Sequence, residues 1–164
     1  MPKCHLLAIA GGSSVDQHSN NVTLFNLVEQ LNFGPRNFPP AGALLPLEMH
    51  AYFHLDTFEL NQKFELRFVL VGQSGLETPT NVFSHKPTGA RYRTRTFGLP
   101  APPSAGSYEL RVEWRPNADA EWVRDSASWP LLVAETEPRP AVTHQGYFEL
   151  RTAEDALGMR RETR

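Results

Sequence analysis

The chain has 164 residues, 40% of them hydrophobic and 21% charged, with a formal net charge of −2 at pH 7. That size and composition fit one globular domain with a substantial core, and the near-balanced charge excludes a general pull toward nucleic acid or an anionic membrane. A single cysteine, Cys4, excludes an internal disulfide and a Cys-x-x-Cys metal site.

In chain order, Leu6 to Ala10 is the first apolar run. It is shorter than the roughly 7–15 residues of a secretory leader core or the about 20 of a membrane span. It reads as a buried first strand, and the chain as a soluble cytoplasmic protein. Gly11 to Asn21, rich in Gly, Ser, Asn and Asp, reads as a polar loop. Val22 to Val28 resumes as a strand, with Asn20 and Asn21 supplying left-handed turn conformers. Residues 34–42, rich in Pro and Gly, form a connection that no regular element survives. Leu44 to Leu55 predicts a strand broken or bulged near Pro46. Phe64, Leu66, Phe68 and Leu70 alternate with Glu65 and Arg67 in an amphipathic strand that Gly72 to Gly75 closes. Val82-Phe83 is a short strand candidate, and Arg91 to Phe97 a longer one.

Residues 103–114 carry the most information. A Pro/Gly turn delivers Tyr108, after which Tyr108, Leu110, Val112 and Trp114 face one way and Glu109, Arg111 and Glu113 the other. Period two marks a half-buried antiparallel strand. Trp122 to Val133 completes a hairpin with it, and Trp114, Trp122 and Trp129 are large core or rim fillers. Tyr108, just after a Gly-containing turn, resembles the tyrosine corner of immunoglobulin-like sandwiches.

No helical period persists before residue 150. Seven to nine strands separated by Pro/Gly turns predict an all-β fold, an immunoglobulin-like antiparallel two-sheet sandwich with a C-terminal extension. Residues 1–134 form the sandwich domain and 135–164 a linker and tail. In the tail, Pro138 and Pro140 stiffen the chain, Gly146 to Arg151 predicts a short strand, and Glu154 to Arg164 a weak helix. Phe-Glu-Leu-Arg occurs at 64–67 and 148–151, with Tyr-Glu-Leu-Arg at 108–111. Without a constant period these are independent strand solutions rather than a repeat.

Several groups invite chemistry. Ser13, Ser14, Asp16 and His18 are ingredients of a hydrolytic triad, yet they form neither a Gly-x-Ser-x-Gly elbow nor a phosphate loop. A solvated hairpin loop is the simpler reading. His50 and His54 would lie about 13 Å apart on a strand and cannot share a metal, whereas His54 and Asp56 share a face. Two ligands without a third do not make a site. Arg91, Arg93 and Arg95 alternate with Tyr92, Thr94 and Thr96, stacking three guanidinium groups at about 6.6 Å intervals. This strand is the best candidate recognition surface, able to grip phosphate or a carboxylate-rich partner. It could equally pair with Glu77 of a neighbouring strand or guard a sheet edge. Glu65, Arg67, Glu109, Arg111 and Glu113 form outward ladders whose carboxyl pKa values should be depressed, the wrong direction for a catalytic acid. Cys4 reads as a small buried residue rather than a nucleophile.

Leu6-Leu-Ala-Ile-Ala, the polar loop and Asn21-Val-Thr-Leu-Phe-Asn-Leu-Val-Glu-Gln-Leu together resemble a family of small bacterial proteins of unknown function. That family shares a strand, a short polar loop and a Ser/Thr-Leu/Ile-Phe/Ile strand, and the likeness runs on to Gly106-Ser-Tyr-Glu-Leu-Arg-Val-Glu. The resemblance implies a cytoplasmic immunoglobulin-like sandwich in a bacterial setting and supplies no catalytic residue.

The sequence therefore predicts a non-enzymatic module that binds another protein or its own copy through Arg91, Tyr92, Arg93 and Arg95 and through the tail after Pro138. No cofactor, metal or membrane is implied, and nucleic acid is disfavoured. The alternatives are a metal-dependent hydrolase built on His54/Asp56 or Asp16/His18, and a binder of an anionic ligand or nucleic acid through Arg91, Arg93 and Arg95.

Overall fold

A computed structural model describes residues 2–40 and 42–136. The strands are β1 (Lys3–Val15), β2 (Val22–Leu27), β3 (Gln30–Phe33), β4 (Leu44–His54), β5 (Phe64–Gly72), β6 (Glu77–Pro79), β7 (Phe83–His85), β8 (Arg91–Pro100), β9 (Gly106–Arg115) and β10 (Val123–Glu135). A single 3₁₀ turn spans Thr57–Glu59, and no α-helix occurs among the described residues. No helix there is long and apolar enough to cross a membrane. One sheet runs β2-β1-β4-β8; the other runs β3-β10-β9-β5-β6, with β7 also paired to β5. Every pairing is antiparallel except β3 with β10.

Period-two alternation builds the core between these sheets. Leu66, Phe68 and Leu70 of β5, Leu110, Val112 and Trp114 of β9, and Leu131 and Val133 of β10 pack with Leu7, Ile9, Met49, Ala51, Phe53 and Leu99 of the first sheet. Each large apolar side chain removed from water contributes about 1.5–3 kcal/mol. Strands β5 and β9 are adjacent interior strands of the second sheet, and, as the sequence predicts, β9 and β10 form a hairpin. The expected disturbance near Pro46 is a register shift between Leu45 and Glu48.

Other expectations need correction. Among the described residues ten strands form rather than seven to nine, because β3 and β6, of 4 and 3 residues, are edge pairings too short for a period to be read. The first part of the expected loop at Gly11 to Asn21 is strand, through Val15: Gly12, Ser13, Ser14 and Val15 pair with Phe25, Leu24, Thr23 and Val22. Backbone hydrogen bonds to β2 hold these small polar residues extended where their side chains gave no strand signal. Glu77 lies on β6 in the other sheet and is no strand neighbour of β8. Trp114 is buried in the core, whereas Trp122 sits half-buried beneath the guanidinium groups of Arg67 and Arg115, 4.3 and 4.4 Å from its ring centre. The tail strand at Gly146 to Arg151 and the helix at Glu154 to Arg164 lie outside the described residues, and so does almost all of the 135–164 extension.

The outer face of the second sheet carries the expected charge ladders. Arg67 meets Glu113 at 2.7 Å, Arg115 meets Glu65 at 2.6 Å and Arg111 meets Glu109 at 2.6 Å. The Ser128 hydroxyl and the Arg111 and Arg124 guanidiniums outweigh burial and hold the Glu109 carboxyl below its ordinary value. These carboxylates are committed to ion pairs.

At the head of β9 the Tyr108 hydroxyl donates to the Ser104 carbonyl at 2.9 Å, tying the turn to the strand. Tyr108→Phe should cost about 0.5–1.5 kcal/mol, the net worth of one such bond. Urea denaturation checks it, and an unchanged midpoint would show that the bond contributes nothing.

Candidate functional site: a basic cleft under the first hairpin

The first hairpin does not extend away from its sheet. Gly11 lies so close to Asn26 that a Cβ there would approach the Asn26 Cβ to 3.3 Å. Asn26 itself adopts φ 52°, a left-handed conformation that Asn tolerates. At this kink β1 and β2 fold back over the outer face of their own sheet. The hairpin tip reaches β8, where Arg93 Nη1 donates to the Asn20 carbonyl at 2.7 Å and Nη2 donates to Asn20 Oδ1. The tip is fixed internally by Asp16, whose carboxylate accepts from the Ser19 amide, the Ser19 hydroxyl and the His18 amide at 2.6, 2.7 and 3.1 Å. These Ser19 bonds first, and the His18 amide after them, hold the Asp16 carboxyl below its ordinary value.

The folded-back hairpin explains a burial pattern that a two-faced sheet would not show. Leu7 and Ile9 face the core, yet Ala8 and Ala10, pointing the other way, are also buried. Small side chains on this stretch of β1 let the hairpin lie close. Beneath it, Glu48 and His50 of β4 are 4% and 3% exposed. Glu48 Oε2 meets His50 Nε2 at 2.9 Å, and Glu48 Oε1 accepts from Arg95 Nη2. Burial opposes the charge on Glu48, but the nearby Ser13 side chain, His50 and Arg95 outweigh it and keep the carboxyl below its ordinary value. The Ser13 hydroxyl itself is buried without a well-formed hydrogen bond.

Beyond this cluster the tip overhangs a cleft of about 790 Å³ lined by Lys3, His5, Ser19, Asn20, Asn21, Val22, Tyr52, Phe53, His54, Arg91, Tyr92 and Arg93. Strand register sets its floor. Lys3, His54 and Arg91 form one row across β1, β4 and β8, and Leu6, Tyr52 and Arg93 the next. Side chains directly opposite in such rows stand about 4.5–5.5 Å apart at Cβ. The register shift between Cys4 and Leu6 leaves His5 exposed in the bulge, its ring edge-on to Tyr52 at 6.3 Å. Among the described residues no carboxylate lines the cleft. Arg93 spends two of its N–H donors on Asn20, and guanidinium has five.

The arginine ladder thus divides. Arg91 and Arg93 line the cleft, while Arg95 turns to Glu48. Tyr92 borders the cleft, but its hydroxyl meets His85 Nδ1 at 2.8 Å and its ring packs on Phe64, on the face opposite the arginines. Tyr92 therefore supports the strand rather than extending the ladder. His54 joins the row of Lys3 and Arg91, whereas Asp56 opens the 3₁₀ turn, its amide donating to Glu59 Oε2 at 2.7 Å. Asp16 is consumed by its own turn. Among the described residues no group of three His, Cys, Asp or Glu side chains could hold a metal ion. Cys4 is buried, and desolvation, with Asp125 nearby, pushes its thiol up to about 11, away from thiolate reactivity.

Sequence reading missed Lys3, His5, Asn20 and Tyr52. They come together only through the pairing of β1, β4 and β8 and the fold-back of the hairpin, which no spacing within one segment encodes. No protein-family model matches this chain, and no curated protein matches it either.

Proposed function

We propose that this protein is a non-catalytic binding module that takes an anionic ligand in the cleft beneath the first hairpin. The observation that carries the reading is the lining: Lys3, Arg91 and Arg93 with His5 and His54, and no carboxylate among the described residues there. Anions held by several fixed N–H donors form charge-assisted hydrogen bonds about twice as strong as neutral ones. A cleft of this size also falls within the range of small-molecule sites.

The frame proposed for it is an immunoglobulin-like sandwich. The order β1-β4-β8 in one sheet and β10-β9-β5 in the other follows the A-B-E and G-F-C neighbours of that fold, and the Tyr108 to Ser104 bond supports the same reading. On this view the β2 arm is an addition to the frame. A bacterial cytoplasm is the setting proposed, on the strength of the N-terminal strand–loop–strand resemblance.

Titration calorimetry with inorganic pyrophosphate at low salt is the test. Arg91→Ser should weaken binding about tenfold, the scale of one charge-assisted bond. Added salt should weaken binding in the unaltered protein. Pyrophosphate that fails to bind at millimolar concentration would end the proposal.

A protein partner is the second reading, favoured by one observation. Strand β8 ends its sheet, so among the described residues one edge of ten residues has no strand partner. An extended acidic peptide could pair there and meet Arg91. Hydrogen exchange with an oligoglutamate peptide decides: protection along β8 supports it, and unchanged exchange removes it.

A further inference from the structure

We infer that the ligand of the cleft is a phosphomonoester carried on a flat ring, a nucleoside monophosphate being the simplest case, with the phosphate against Lys3, His54 and Arg91 and the ring over Tyr52. The inference rests on the anion-binding reading and narrows it.

The two floor rows differ in character. Lys3, His54 and Arg91 make a basic row across three strands, and the adjacent row centres on the half-buried ring of Tyr52, flanked by Leu6 and Arg93. Successive same-face side chains along a strand are about 6.6 Å apart. That is the scale of the separation between a phosphate and the ring system of one small molecule. A bare oxyanion would use only the first row and leave the apolar surface of Tyr52 uncovered. His5 stands edge-on beside that ring and closes one side of it. The roof is Ser19, Asn20 and Asn21, whose side chains offer both donors and acceptors to the rim of a heteroaromatic ring. Arg93, held in place by the Asn20 clasp, ends the Tyr52 row with N–H donors to spare. Each part of the floor thus matches a different part of one ligand: charge for the phosphate, ring face for the base, amides for its edge.

Calorimetry compares AMP, ribose 5-phosphate and adenosine on the whole chain. AMP should bind about tenfold more tightly than ribose 5-phosphate, the scale of one base stacked on an aromatic side chain. Tyr52→Leu should bring AMP down to the level of ribose 5-phosphate while leaving ribose 5-phosphate unchanged, and Arg91→Ser should weaken both. AMP and ribose 5-phosphate binding within twofold of each other would overturn the ring assignment while leaving the anion reading in force. Loss of all phosphate binding, pyrophosphate included, would overturn both. The comparison of ligands on the unaltered protein decides even if Tyr52→Leu fails to fold.

Discussion

Phe53→Ala should lose about 3–5 kcal/mol of stability, the usual cost of emptying an aromatic site in a closed core. Phe53 is fully buried on the interior strand β4 of the first sheet, opposite Cys4 of β1 and Tyr92 of β8. Its ring packs edge-on against Phe64 of the other sheet with centres 6.3 Å apart, so it bridges both layers. Backbone pairing on both sides of β4 prevents the strand from moving in to close the cavity. Phe97 provides the contrast: it is 67% exposed, and Phe97→Ala should stay within about 0.5 kcal/mol of the parent. Urea denaturation followed by Trp fluorescence measures both. A loss below about 1 kcal/mol for Phe53→Ala would mean that the sheets do not close on this residue.

Glu48→Ala should be the second costly change, at about 1–3 kcal/mol, because it strands the buried His50 ring without its hydrogen-bond partner. Arg95 is 56% exposed at its side chain and returns to water, which keeps the loss below that of a fully enclosed ion pair. The same cluster sets a pH dependence. A carboxyl whose folded pKa lies below its unfolded value adds stability above that unfolded value and loses it as pH falls through the folded one. Glu48 and Glu109 are both of this kind, so their contribution should fade below about 4.5. His85 acts in the same direction at higher pH. Burial lowers its pKa from the ordinary 6.5, so the unfolded chain takes up a proton first once pH drops below that value. Melting temperature should therefore fall in two stages on acidification, the first starting near pH 6.5 and the second below about 4.5. Glu48→Ala should shrink the second stage and leave the first. An undiminished second stage would show that Glu48 is not held ionised by its cluster.

The strands with strong period two were legible because alternation and burial coincide there: Phe64 to Leu70, Tyr108 to Trp114 and the Arg91 strand all fall where the pattern placed them. The Pro46 bulge was legible because proline cannot continue a ladder unbroken. Strand β1 beyond Ala10 was not. Gly11, Gly12, Ser13 and Ser14 carry no apolar side chains, and their extended form comes from pairing with β2. The cleft escaped for a related reason. Arg91 and Arg93 were visible as a ladder, but Lys3, Tyr52 and Asn20 become their neighbours only after three registers and one kink are set. Arg95 looked equivalent to its two companions in sequence, and only the position of Glu48 one strand away sets it apart.

The clasp between Arg93 and Asn20 has an entropic consequence. A free arginine on an open sheet samples many rotamers, and holding it still for a ligand costs about 0.5–1.5 kcal/mol at the moment of association. Here folding has already immobilised the guanidinium against the hairpin tip, with three donors left over for an incoming group. Affinity at the proposed site would thereby depend on Asn20 as a brace for Arg93, apart from any contact of its own. Asn20 sits at φ 56°, where few side chains other than Asn or Gly are comfortable, so the tip has little freedom to drift in sequence without loosening the arginine beneath it.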